Sequence, residues 1–125
     1  MPGALVFLQK PIQKDKEMLQ GAWAVESGQM AGQVISDEDK QKWKVIFNGD
    51  ELTFEEVPYP GFTLYPEESP KAIDIWTMDL PLKAIYKLEE GKLHLCTGDT
   101  TERPREFQTG AQDQFLYLIL KREKR

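Results

Sequence analysis

The stretch Lys42-Trp43-Lys44-Val45-Ile46-Phe47-Asn48-Gly49-Asp50-Glu51-Leu52-Thr53-Phe54-Glu55 decides the fold. Trp43, Val45 and Phe47 fall on one face of an extended chain, and Leu52 and Phe54 stand opposite Glu51, Thr53 and Glu55. This is the period of two that half-buried strands require. The stretch Phe47-Asn48-Gly49-Asp50-Glu51 joining the two runs is a hairpin signal, because Asn-Gly tolerates positive φ. Two antiparallel strands joined by a tight turn are the direct reading.

The same pattern extends in both directions. Gly28, Gly32, Pro58 to Gly61, Pro66 to Pro70, Pro81, Glu90-Gly91, Gly98, Pro104 and Gly110 punctuate the chain at strand-and-turn spacing. Further strands are expected at 21–28, 61–65, 72–78, 82–88, 92–97, 105–109 and 114–122. Short helices are expected at Gln13–Gln20 and Ser36–Gln41, where Ser36 precedes Asp37-Glu38-Asp39 as an N-cap would. The fold class is all-β: an antiparallel meander of about eight strands, closed into an up-and-down barrel or packed as a sandwich. A length of 125 residues, with no repeat or linker, makes one domain. Residues 1–17 are read as an N-terminal extension with the start of the helix, 18–123 as the barrel, and 124–125 as a basic tail.

The two ends of the chain discriminate barrel from sandwich. Gly21-Ala22-Trp23 opens the first strand after the short helix, and Lys121-Arg122 closes the last one. In a closed barrel those strands are neighbours, so Arg122 can lie across the Trp23 indole and plug one end by a cation–π contact. Parity agrees, with Val25 following Trp23 inward and Leu116, Leu118 and Leu120 sharing the face of Arg122. Gly21 lets the chain cross close over the strand.

The ordered segments Leu19-Gln20-Gly21-Ala22-Trp23, Ser69-Pro70-Lys71-Ala72-Ile73-Asp74, Ala84-Ile85-Tyr86, Leu93-His94-Leu95-Cys96, Arg103-Pro104-Arg105-Glu106-Phe107 and Leu120-Lys121-Arg122 carry a resemblance. Together they resemble a lipocalin-like domain family of bacteria, expanded in planctomycetes, with the motifs LQGTW, PKAID, GIY, LKIC, RPxxF and LKR. More distantly they resemble the lipocalin and calycin group. The chain departs from the pattern by Ala22 for Thr and Ala84 for Gly. The resemblance implies a lipocalin-like barrel and brings no activity to carry over.

Composition excludes more than it assigns. Lys and Arg total 16 against 21 Asp and Glu, a formal charge of -5, so no global field draws the chain to nucleic acid or anionic lipid. One His and one Cys leave no intramolecular disulfide and little for metal or imidazole chemistry, and no cofactor is expected. His94 and Cys96 share one strand face, but two ligands make no metal site, and their parity opposite to Leu93 and Leu95 points them outward. Nucleophile triads, glycine-rich phosphate loops and zinc quartets are missing from the sequence, so a non-enzymatic protein is expected. Lys71 and Asp74 invite a catalytic reading, but a pairing of Asp74 with Lys71 or Arg103 is the plainer one. The apolar run Ala4–Leu8 follows no basic residue, and no apolar run approaches the ~18–20 residues of a membrane span. A cytoplasmic monomer is the expectation.

The candidate pocket consists of Trp43, Val45, Phe47, Leu52, Phe54, Phe62, Leu64, Tyr86, Leu93, Leu95, Leu116 and Leu118. These side chains either line a cup for a small apolar or amphipathic ligand or fill the barrel. The first alternative makes a carrier or sensor. The second leaves a structural or protein-interaction module using its outer faces or the loop bearing Tyr59 and Tyr65. Arg103 and Arg105 are candidate contacts for an anionic group at a barrel mouth. Asp50, Glu51, Glu55 and Glu56 read as a solvated hairpin.

Overall fold

The structure is a computed structural model describing residues 11–110 and 115–123. The Ala4–Leu8 run and the tail at 124–125 lie outside the described residues. Helix α1 (Pro11–Leu19) leads into β1 (Gly21–Met30), β2 (Gln33–Val34), helix α2 (Asp37–Lys42), β3 (Val45–Asn48), β4 (Glu51–Phe54) and β5 (Val57–Tyr59). Strands β6 (Gly61–Tyr65), β7 (Ala72–Trp76), β8 (Pro81–Glu89), β9 (Lys92–Thr97) and β10 (Leu116–Arg122) follow.

The strands pair in the order β5-β4-β3-β1-β10-β9-β8-β7-β6, with β2 attached to β1 alone. First and last strands are neighbours, and Trp23 stands opposite Arg122 in their ladder. The two ends of the sheet, β5 and β6, are separated by Pro60 alone. Residues 57–65 therefore behave as one kinked strand whose first part pairs β4 and whose second part pairs β7. Proline at the kink donates no backbone hydrogen bond, which suits the point where the strand changes partner. Across this seam the Phe47 and Phe62 rings meet edge-on at 5.2 Å. Counted this way, eight strands encircle the core as a nearly closed antiparallel barrel.

The hairpin expected across Phe47–Glu51 forms: Asn48 closes β3 opposite Glu51, and Gly49-Asp50 make the turn, with Gly49 at φ 64. Elsewhere boundaries differ from the sequence reading. Strand β5 was not expected, because its turn is Glu55-Glu56, which carries neither Gly nor Asn. Both glutamates take positive φ, 54 and 63, which brings Val57 opposite Phe54. The strand expected at 105–109 does not form. Residues 98–110 instead run as an irregular segment over the outer face of β7, β8 and β9. The Gly98 amide donates to Lys83 O at 2.7 Å, and Cys96 Sγ lies 3.7 Å from Gln108 O. A chain lying flat on the sheet in this way has no open edge to pair with, so strand-like alternation there produces no strand.

Candidate functional site

An up-and-down barrel has two ends, and here they are built from opposite chemistry. At one end α1 lies across the opening and bonds to the turns around it. Trp23 Nε1 donates to Leu19 O at 2.8 Å, and Arg122 lies over the Trp23 ring at 4.3 Å. Arg122 also donates to Gln20 O at 2.6 Å and to Met18 O, which satisfies carbonyls that the end of α1 leaves without helical partners. Gly21 sits at φ 115, and a Cβ there would come within 3.2 Å of Arg122 Nη1. Gln20 bonds both the amide and the carbonyl of Gly49, and Lys16 pairs with Asp50.

The same helix places Asp15 almost out of solvent, a residue the sequence reading passed over. Its carboxylate accepts from Tyr86 Oη at 2.7 Å and from Lys71 Nζ at 2.9 Å. Tyr86 projects from the barrel interior, and burial, followed by the Asp15 contact, pushes its phenol far above the ordinary range. Lys71 thus pairs with Asp15, and Asp74 pairs with Arg103. Spacing within α1 held no signal for Asp15, whose partners lie 56 and 71 residues away.

Between the ends the barrel is packed. Ten of the twelve candidate lining residues are no more than 4% exposed: Val45, Phe47, Leu52, Phe54, Leu64, Tyr86, Leu93, Leu95, Leu116 and Leu118. Leu19, Ile35, Ile73, Ile75 and Leu120 join them in one cluster. Ile35 reaches inward over Gly28, where an added Cβ would meet Ile35 Cδ1 at 2.8 Å and Leu118 Cδ2 at 2.9 Å. Glycine at this inward position makes the space that Ile35 fills. Trp43 and Phe62 are half-buried and pack on this cluster with Val25, Tyr59 and Leu82. Trp43 meets Phe54 at 5.3 Å.

Among the described residues the far end is bordered by the β1–β2, β4–β5 and β7–β8 turns and by the segment leaving β9, and large apolar side chains stand exposed on those turns. Met78 is 95% exposed and Leu80 54%, with Met30 and Val57 also open to solvent, whereas the exposed Val34 and Trp76 stand on the outer face beside Gln29 and Thr63. Turn segments are usually polar, so Met78 and Leu80 flanking Asp79 were a signal available in the sequence. No helix among the described residues is long and apolar enough to cross a membrane.

The outer wall carries a separate cleft of about 710 Å³ between residues 65–72 and 101–105, lined by Tyr65, Ser69, Ile85, Arg103 and Arg105 among others. Arg103 is committed within the fold. Its Nη1 donates to Ala84 O at 2.8 Å and Ile73 O at 3.2 Å, and its Nη2 pairs with Asp74. Tyr65 Oη donates to the other Asp74 oxygen at 3.1 Å, so Tyr65 serves this network, and Tyr59 packs on the core. Arg105 lines the cleft beside Glu68 and Glu102 and forms no ion pair among the described residues. His94 and Cys96 lie on the outer sheet face, under the 98–110 segment. His94 Nδ1 is 2.8 Å from Tyr117 Oη, and its ring stacks on Tyr117 at 6.1 Å. Among the described residues no group of three or more metal-ligating side chains converges.

Comparison with protein-family models, with curated proteins and with solved structures finds no match.

Proposed function

We propose that this chain is a non-enzymatic, lipocalin-like binding protein, a carrier or sensor whose open barrel end takes the apolar part of a small amphipathic molecule. The observation that carries the reading is the contrast between the ends: one is closed by α1 through polar bonds, and the other exposes Met30, Val57, Met78 and Leu80. Large apolar side chains grouped at one site cost solubility, and folds usually keep them for contact with a ligand or partner. Half-buried Trp43, Phe62 and Leu82 below the rim supply an apolar floor. Because the interior beneath is filled, the ligand sits at the mouth and not deep in the barrel.

Native mass spectrometry of freshly purified protein, followed by displacement of a hydrophobic dye with small lipophiles, tests this. Dye uptake and displacement are expected, with uptake lost in Met78→Asp and Leu80→Ser at unchanged melting temperature. Clean apo protein that takes up no dye would remove the reading. In that case the packing of ten lining residues favours a second one, a protein-interaction module built on a filled barrel.

A further inference from the structure

We infer that the molecule taken at the open end is a cationic amphiphile, an inference that rests on the binding function proposed above and names its ligand class. The apolar rim is interleaved with carboxylates. Glu55 and Glu56 form the turn before Val57, and Asp79 sits between Met78 and Leu80. Glu55, Glu56 and Asp79 are exposed and form no ion pair among the described residues, so their charge is left for a ligand to answer.

Charge complementarity selects among occupants. A fatty acid or an anionic bilayer would bring negative charge against Glu55, Glu56 and Asp79. A second copy of the chain, docked rim to rim, would oppose the same carboxylates to one another. An apolar chain ending in a quaternary or primary ammonium satisfies both features, laying its tail on Met78, Leu80 and Val57 and its head among the acids. Each exposed pair contributes modestly, and the sum weakens as salt screens it. The polar contacts favour one sign of ligand more than they add raw affinity.

The test uses the full chain and three probes of one tail length, all below their micelle concentrations: decyltrimethylammonium, uncharged decyl maltoside and decanoate. Affinity and site are read by NMR titration, and oligomeric state by sedimentation. The cation should bind at the rim at least about tenfold tighter than decanoate at low ionic strength, with the neutral probe between. The gap should shrink severalfold in ~0.5 M salt. Glu55→Gln, Glu56→Gln and Asp79→Asn combined should bring the two charged probes within about twofold and leave the neutral probe unchanged. Equal or reversed affinities at the rim overturn the ligand class and leave the binding function standing. Binding of no probe, the neutral one included, overturns both. Shifts centred on the Arg105 cleft, or a dimer formed through the rim, overturn the inference as well.

Discussion

At the scale of single residues, Trp23 and Arg122 show how one pair closes one end of the molecule. The indole is buried, donates to Leu19 O, and carries the Arg122 guanidinium on its face. Truncating Trp23 to Ala should cost about 3–5 kcal/mol, as for large aromatics removed from a core. Chemical denaturation measures this, and an unchanged midpoint would show that the plug carries no stability. His94 is the one histidine in the chain and gives a second prediction. Burial, then the positive charge of Lys87, holds its ring below the ordinary value of 6.5, with Lys92 acting in the same direction and Glu89 against it. The neutral ring is therefore favoured in the fold, and the unfolded chain binds the proton more readily. Its contribution to stability is fully present above the unfolded value of 6.5 and is lost as pH falls through the lower folded value. Urea midpoints of the wild type and His94→Gln, compared between about pH 7.5 and 5.5, should diverge toward neutral pH and converge toward acid.

At the scale of elements, the Glu55-Glu56 turn is the least expected feature. Two successive non-glycine residues at positive φ are strained, at roughly 1–2 kcal/mol each for the left-handed region. Replacing the pair by Asn-Gly, the dipeptide suited to such turns, should stabilise the protein by about 1–2 kcal/mol. Thermal denaturation reads the gain, and a loss of cation binding in the same variant would show what the strained glutamates provide. This turn also explains where the sequence reading stopped. Turn chemistry announced Glu90-Gly91 and the turn after Phe47, since Gly stands in both, whereas Glu55-Glu56 carries no local mark and β5 went unseen. Conversely, Arg105 to Thr109 alternates like a strand, but its backbone finds no free sheet edge. It covers Cys96 and His94, with Phe107 near both Lys87 and His94.

At the scale of the whole molecule, β10 is the strand on which closure depends. It is hydrogen-bonded to β1 on one side and β9 on the other, and it brings Leu116, Leu118 and Leu120 into the core. A chain ending at residue 115 loses two ladders and three buried leucines together, and it should show no cooperative thermal transition. Near-ultraviolet circular dichroism and dispersed amide resonances would report a retained fold, and their persistence would contradict a barrel closed by its last strand. Alternating side chains, a helix N-cap at Ser36 and glycine in the turns are local properties, and from them the sequence by itself determined an all-β meander of about eight strands with Trp23 and Arg122 as terminal partners. These features act within a few residues of one another, or follow from the requirement that the ends of a barrel meet. Only the tertiary structure decided that Asp15 would serve Tyr86 and Lys71, that Ile35 would fill the space over Gly28, and that the β1–β2, β4–β5 and β7–β8 turns would lie at one end of the barrel. Such contacts join residues far apart in the chain, and their energy depends on shape and burial that exist only once the sheet has curled on itself.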